Sequence, residues 1–202
     1  SIALMGSQAV GLLAPLIMVP FLARALRPEG WAPVLAAQAL AAWLTLILEY
    51  AADLSGTRDV ARARHTSHLL PDVVLGVQSA KVLLVPFAAV VVVLASVAVP
   101  ILRGHGALLA WTLAYAVFRG FNPFWFFQGV ERVHVAAGVE ALTRLLAALS
   151  VVVLVRDASD GWLVLATQAV FGAISFGVLT MVMARDVPLL VPAIGPGVTA
   201  LR

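Results

Sequence analysis

Six apolar stretches, each about 20 residues or longer and so able to cross a hydrocarbon layer, take up almost the whole chain. Hydrocarbon offers no water to backbone N–H and C=O groups, so each must find an internal partner, which makes these stretches helices. Hydrophobic residues make up 62% of the chain and charged residues 11%, and the mean hydropathy is +1.04. A soluble domain of 202 residues has too little interior to hide that much apolar surface. The predicted fold class is all-α: a polytopic membrane protein built as a six-transmembrane-helix bundle.

The spans are read at residues 2–24, 32–54, 73–100, 107–127, 133–155 and 161–184. Together they form one transmembrane unit over residues 1–186. The Pro/Gly-rich tail at 187–202 reads as a linker. Ser1 stands where an initiator Met is expected and apolar sequence follows at once, so the chain is read as a fragment without a signal peptide. Residues 56–72 are the most basic segment and form a long break between spans two and three. The connections after spans two, four and six hold Arg58, Arg62, Arg64, Arg132, Arg185 and Arg202, against Arg24, Arg27, Arg103 and Arg156 on the other side. By the positive-inside rule, the first set faces the cytoplasm and both termini are cytoplasmic.

Several function classes drop out. The chain has no cysteine, which removes disulfides, thiol nucleophiles and thiolate metal sites. A net charge of +3 in so apolar a chain is topology and site chemistry, not nucleic-acid binding. The four histidines fall in or near loops without metal-ligand spacing, and no Gly-rich phosphate cradle, magnesium-type acid cluster or Ser–His–Asp set is present. The expectation is a non-enzyme with no metal and no cofactor.

The chemistry is concentrated in six charges inside the spans: Glu49, Asp53, Lys81, Arg119, Glu140 and Arg144. A charge at the bilayer centre costs about 2.5–3.5 kcal/mol on insertion scales, so it must face the bundle interior or water. Gln38, Thr45, Glu49 and Asp53 recur at spacings of seven, four and four, which places them on one face of the second span. Thr112, Tyr115, Arg119 and Asn122 repeat the pattern in the fourth span, and Gln168, Gly172 and Ser175 form a weaker stripe in the sixth. Polar stripes on membrane helices read as walls of a hydrated cavity. Glu140 and Arg144, acid first and four apart, have the favourable order for a helical ion pair. Arg119 lacks a carboxylate on its own helix. It closes a salt bridge with Glu49, Asp53 or Glu140 on a neighbour, or it binds a ligand anion, for which guanidinium is suited because its donors match two oxygens. Glu49 and Asp53 either pair with these bases or serve as a coupling-ion site.

Three segments carry a family resemblance. Ala23–Trp31 (ARALRPEGW) resembles the "AR-x-LGPEG-aromatic" turn after the first helix of polysaccharide or O-antigen flippases, members of the multidrug/oligosaccharidyl-lipid/polysaccharide exporter superfamily. Glu49–Asp59 (EYAADLSGTRD) is similar to that family's "DYGFNLSATRE" segment, and Asn122–Val133 (NPFWFFQGVERV) to its "P-x-WFFQGIEK" stretch. Residues 144–162 resemble the fifth helix and its exit. Arg27 and Ala32 stand where the pattern has Gly, Glu49 where it has Asp, and Ala51 where it has Gly.

The resemblance implies one lobe of a two-lobe transporter in a bacterial cytoplasmic membrane. Its implied cargo is a lipid-linked oligosaccharide on polyprenyl pyrophosphate, moved by alternating access for surface polysaccharide biosynthesis. Arg119, Arg144 and Lys81 would hold the anion, and Gln38, Tyr115, Asn122 and Gln128 the sugar. Glu49, Asp53 and Glu140 would form salt bridges or couple an ion. The expected partners are the lipid bilayer, the glycan, and a polysaccharide polymerase or glycosyltransferases. The alternatives are an exporter of drugs or of the peptidoglycan precursor, and a non-transporting scaffold for polysaccharide assembly enzymes.

Overall fold

The computed structural model describes residues 2–53, 55–63 and 70–187, with the side chains of the first helix described over 18–49. It is an all-helical bundle: α1 (Ile2–Asp53), α2 (Gly56–Ala63), α3 (Leu70–Ala98), α4 (Gly106–Gly120), α5 (Phe124–Gly129), α6 (Val133–Leu154) and α7 (Gly161–Met183). Single 3-10 turns at Pro100–Leu102 and Ala158–Asp160 precede α4 and α7. Among the described residues, Met18–Glu49, Leu70–Ala98, Val133–Leu154 and Ala158–Met183 are each long and apolar enough to cross a membrane.

Helix occupies each of the six expected stretches among the described residues, with departures that have local causes. Spans one and two belong to one helix, α1, broken at Arg27, where φ is 54° and ψ 173°. The residue before a proline is pushed out of the helical region, and Pro28 then starts the second half with its ring already at helical φ. Arg27 thus occupies a backbone region that only Gly adopts freely, at a cost of about 1–3 kcal/mol. This is the position where the family pattern carries Gly. Met18 and Gln38 line one cavity, although an unbroken helix would hold them about 30 Å apart. The break therefore folds the chain back on itself.

The fourth span is not continuous over 107–127. It ends at Gly120, and Asn122–Pro123 separates it from the short α5. Pro123 supplies no N–H and excludes helix at Asn122. The carboxamide of Asn122 instead accepts the amide N–H of Phe124 at 3.1 Å and starts the next helix. The long loop expected at 56–72 is also partly helical. Gly56, Val60 and Ala63 bury one side of α2 while Arg58 and Arg62 project outward, an amphipathic pattern that its many charges mask in a hydropathy reading. α3 begins at Leu70 and stops at Ala98, because Pro100 forces Val99 into extended backbone. The expected linker at 187–202 lies outside the described residues beyond Val187, as do Arg64, His65 and His68.

α4 sits at the centre, packed against α7, α1 and α3, while α6 closes against α7 and α1. One core joins Leu44 and Leu48 of α1 to Leu109 and Ala116 of α4 and Leu165 of α7. Ala37 and Ala41 are fully buried, and their small side chains let α1 approach its neighbours closely. At Gly120 the helices come so close that a Cβ would lie 2.5 Å from the Cβ of Leu48. A second core at the far end packs Trp125, Phe126 and Phe127 of α5 against Val60 of α2 and Leu179 and Met183 of α7. Val93, Leu94 and Val97 of α3 and Leu142, Leu149 and Val153 of α6 are exposed. In lipid these apolar flanks need no protein cover.

Candidate functional site

The intramembrane charges converge on one carboxylate. Glu140, 6% exposed, projects from the middle of α6. Its Oε2 accepts Nη1 of Arg119 from α4 and Nη2 of Arg144, one turn further along α6, at 2.9 Å. Its Oε1 accepts Nδ2 of Asn122 at 2.8 Å and the hydroxyl of Ser175 from α7 at 3.0 Å. Asn122 Nδ2 also reaches the Ser175 oxygen at 3.2 Å. Arg119 extends to α1 as well, with Nε 3.8 Å from Oε1 of Glu49. Four donors saturate Glu140, as a buried carboxylate in a low-dielectric interior requires.

This cluster forms one wall of a cavity of about 330 Å³. Polar groups on it include Gln38, Tyr115, Arg119, Asn122, Glu140, Arg144, Gln168 and Ser175. The other walls are apolar: Met18, Val19 and Leu22 from the first half of α1, Ala147 and Val151 from α6, Phe171 from α7. Gln38, Tyr115, Arg119, Arg144 and Gln168 are shared with an adjoining groove, which runs along Ala41, Thr45 and Glu49. The Thr45 hydroxyl is buried there without a partner. Arg144 is about half exposed and has Glu140 as its ion-pair partner. A polar face set against an apolar face suits a ligand that carries an anion, hydroxyls and a hydrocarbon chain.

The expected residues divide into those brought together and those set apart. Arg119, Arg144, Gln38, Tyr115, Asn122, Glu49 and Glu140 meet around the cavity or the groove. The Glu140–Arg144 helical pair forms as its spacing predicts. Arg119 finds two of the three carboxylates open to it, Glu140 and Glu49. The expected cationic lining is formally balanced, because Glu49 and Glu140 face Arg119 and Arg144. The side chain of Asp53 lies outside the described residues. Gln128 is exposed on α5 and lines neither space.

Lys81 is also elsewhere. It is 1% exposed and donates from Nζ to the carbonyl of Gly120 at 2.5 Å, with Nζ 6.0 Å from the centroid of the Trp125 ring. The Asn122–Pro123 break leaves that carbonyl without its helical donor, since the Phe124 N–H goes to Asn122 instead. A lysine at this helix C-terminus satisfies the carbonyl and complements the helix dipole. Lys81→Met is expected to lower stability by about 2 kcal/mol, the cost of a buried acceptor that loses a charged donor. Thermal unfolding in detergent measures it.

Ser175, Gln168 and Thr143 were not among the expected site residues. The 168–172–175 stripe of α7 carried a signal for the first two. Thr143 gave none beyond its place three residues after Glu140, and its hydroxyl bonds back to the Val139 carbonyl at 2.9 Å. The apolar wall gave no signal, because lining and lipid-facing leucines look alike in sequence.

A family model described as "Polysaccharide biosynthesis protein" matches residues 1–187. A protein of Escherichia coli (strain K12) named "Putative O-antigen transporter" is 26% identical over 139 residues, covering 68% of this chain and 33% of that protein. The match thus spans about a third of that relative's length. No solved structure matches the chain significantly.

Proposed function

Because the chain belongs to the polysaccharide biosynthesis protein family, we propose that residues 1–186 form one lobe of a flippase that carries a lipid-linked oligosaccharide across the bacterial cytoplasmic membrane. Residues 187–202 lead toward a second lobe, and both termini face the cytoplasm. The observation that carries this reading is the Arg119–Glu140–Arg144 bridge on the wall of a cavity that is apolar elsewhere. A pyrophosphate and its sugars cannot cross hydrocarbon unaided, since unpaired charge and polar groups are costly there. Glu140 acts as an internal counter-anion that holds the arginines in place while the site is empty. The cargo pyrophosphate takes its position on Arg119 and Arg144, whose forked donors match phosphate oxygens. Gln38, Gln168 and Tyr115 donate to and accept from the first sugar. Met18, Leu22, Val151 and Phe171 meet the near end of the prenyl chain, and the remainder stays in lipid. Transport follows as this lobe rocks against its partner, and no residue is assigned a catalytic role.

The name of the E. coli relative supports this direction, as does a site whose two faces match the two halves of such a cargo. The test is a flipping assay in proteoliposomes with a defined polyprenyl-pyrophosphate glycan, beside the same glycan on a lipid without the pyrophosphate. Translocation is expected for the first and not the second. Equal movement of both would sink the assignment of the arginines to the anion. Movement of neither, with retained binding of glycosyltransferases or a polymerase, would favour a scaffold.

A further inference from the structure

Asn122 is used twice, on opposite sides. Its Nδ2 donates to Glu140 Oε1 at 2.8 Å, and its Oδ1 accepts the Phe124 amide N–H at 3.1 Å. It is 6% exposed and sits in the three-residue break between α4 and α5. On one side, Lys81 holds the last turn of α4 through the Gly120 carbonyl. On the other, α5 is packed into α2. Thr57 Oγ1 reaches the Trp125 carbonyl at 3.4 Å. A Cβ on Gly129 would lie 2.6 Å from a methyl of Val60, and one on Gly56 would lie 2.9 Å from the Trp125 ring. With so little space between them, α2 and α5 shift together or not at all.

From this we infer that Asn122 is a positioning residue that transmits the state of the arginine–glutamate cluster to the packed α5–α2 unit. Its ligand-dependent part rests on the anion site proposed above. When a phosphate occupies Arg119 and Arg144, Glu140 Oε2 loses both guanidiniums. The like charge of the phosphate turns the carboxylate toward the remaining donors, Asn122 and Ser175. Their charge-assisted bonds then carry its full charge and tighten. Asn122 is drawn against α6 and α7, and the first amide of α5 is held with it. An occupied site thus locks α5 and α2, and an empty one leaves them looser.

Hydrogen exchange of the full chain in lipid nanodiscs reads both helices. Glu140→Ala is expected to speed exchange over residues 124–129 and 56–63 about tenfold, the worth of one hydrogen bond to a charged group. Asn122→Ala gives at least that increase, and adding Glu140→Ala to it changes nothing further. Inorganic pyrophosphate, added to the unsubstituted chain, slows exchange in the same helices about threefold, half the first effect on a free-energy scale.

Unchanged exchange in Glu140→Ala, or additive increases in the double variant, would make Asn122 a local cap and overturn the relay. Pyrophosphate that binds by calorimetry without altering these helices also overturns it, yet leaves the anion site standing. Absent pyrophosphate binding beside a non-additive Glu140–Asn122 pair supports the relay and removes the anion site. Where Glu140→Ala fails to fold, Glu140→Gln, which keeps the size of the side chain and removes its charge, takes its place with and without Asn122→Ala, and the same outcomes decide.

Discussion

Arg119→Gln is expected to lower the initial rate of glycan translocation in proteoliposomes about a hundredfold. Arg119 faces both the cavity and the adjoining groove and spans Glu140 on α6 and Glu49 on α1. A buried charge-assisted contact to an anion contributes about 3 kcal/mol, which corresponds to roughly two decades. Glutamine keeps a donor and much of the length but loses the charge and the fork. Arg119→Lys should recover part of the rate, because it restores the charge without the two-point geometry. A non-transporting scaffold predicts the opposite pattern: partner binding and surface polysaccharide output unchanged in Arg119→Gln. A Gln variant that moves glycan at the parental rate would rule out the cavity arginine as the anion holder.

Glu140→Ala carries the largest expected effect on stability, a loss of about 3 kcal/mol seen as a lower midpoint of thermal unfolding in detergent. Removing one partner of a buried pair strands the other charge, and here two guanidiniums lose their shared carboxylate. The half-exposed position of Arg144 lets water soften its share, which keeps the figure at the low end of the range for buried pairs. Glu140→Leu combined with Arg119→Met and Arg144→Met should regain most of the loss, because it removes the charges along with their need for partners. The triple variant would be stable and inactive in translocation. That separation of folding from transport distinguishes a cluster kept for cargo from one kept for the fold. If Glu140→Ala melts at the parental temperature, the carboxylate is not the clamp its four donors imply.

Much of the site was legible because intramembrane charge is expensive and must have a reason. Glu140 and Arg144 could be paired from a spacing of four. Arg119 had to find a carboxylate on another helix or a ligand anion, because its own helix offers no acid. Helical periodicity put Gln38 and Glu49 on one face and Tyr115, Arg119 and Asn122 on another, and all five meet at the cavity or the groove. Lys81 misled for an instructive reason. As an isolated cation inside a span it looked like part of the site, but its role depends on a carbonyl freed by a helix break 39 residues away. Periodicity along one helix cannot reveal an orphaned acceptor on another. Gln128 looked similar in kind to Gln38, yet α5 turns it outward.

The solvent of this protein, its helical class and its inventory of costly groups follow from local rules. Hydrocarbon demands internal backbone hydrogen bonds, Pro28, Pro100 and Pro123 each interrupt a helix beside them although Pro86 does not, and each charge must be neutralised or wetted. Those constraints act within a few residues and can be read along the chain. Which charge meets which is a different matter. Glu140 can satisfy Arg119, Arg144, Asn122 and Ser175 at once because α4, α6 and α7 approach at one depth. That approach comes from the packing of α4 against α7 and of α7 against α6. Contacts between distant helices depend on summed packing geometry, so the balanced, two-faced character of the cavity emerges only once the bundle closes.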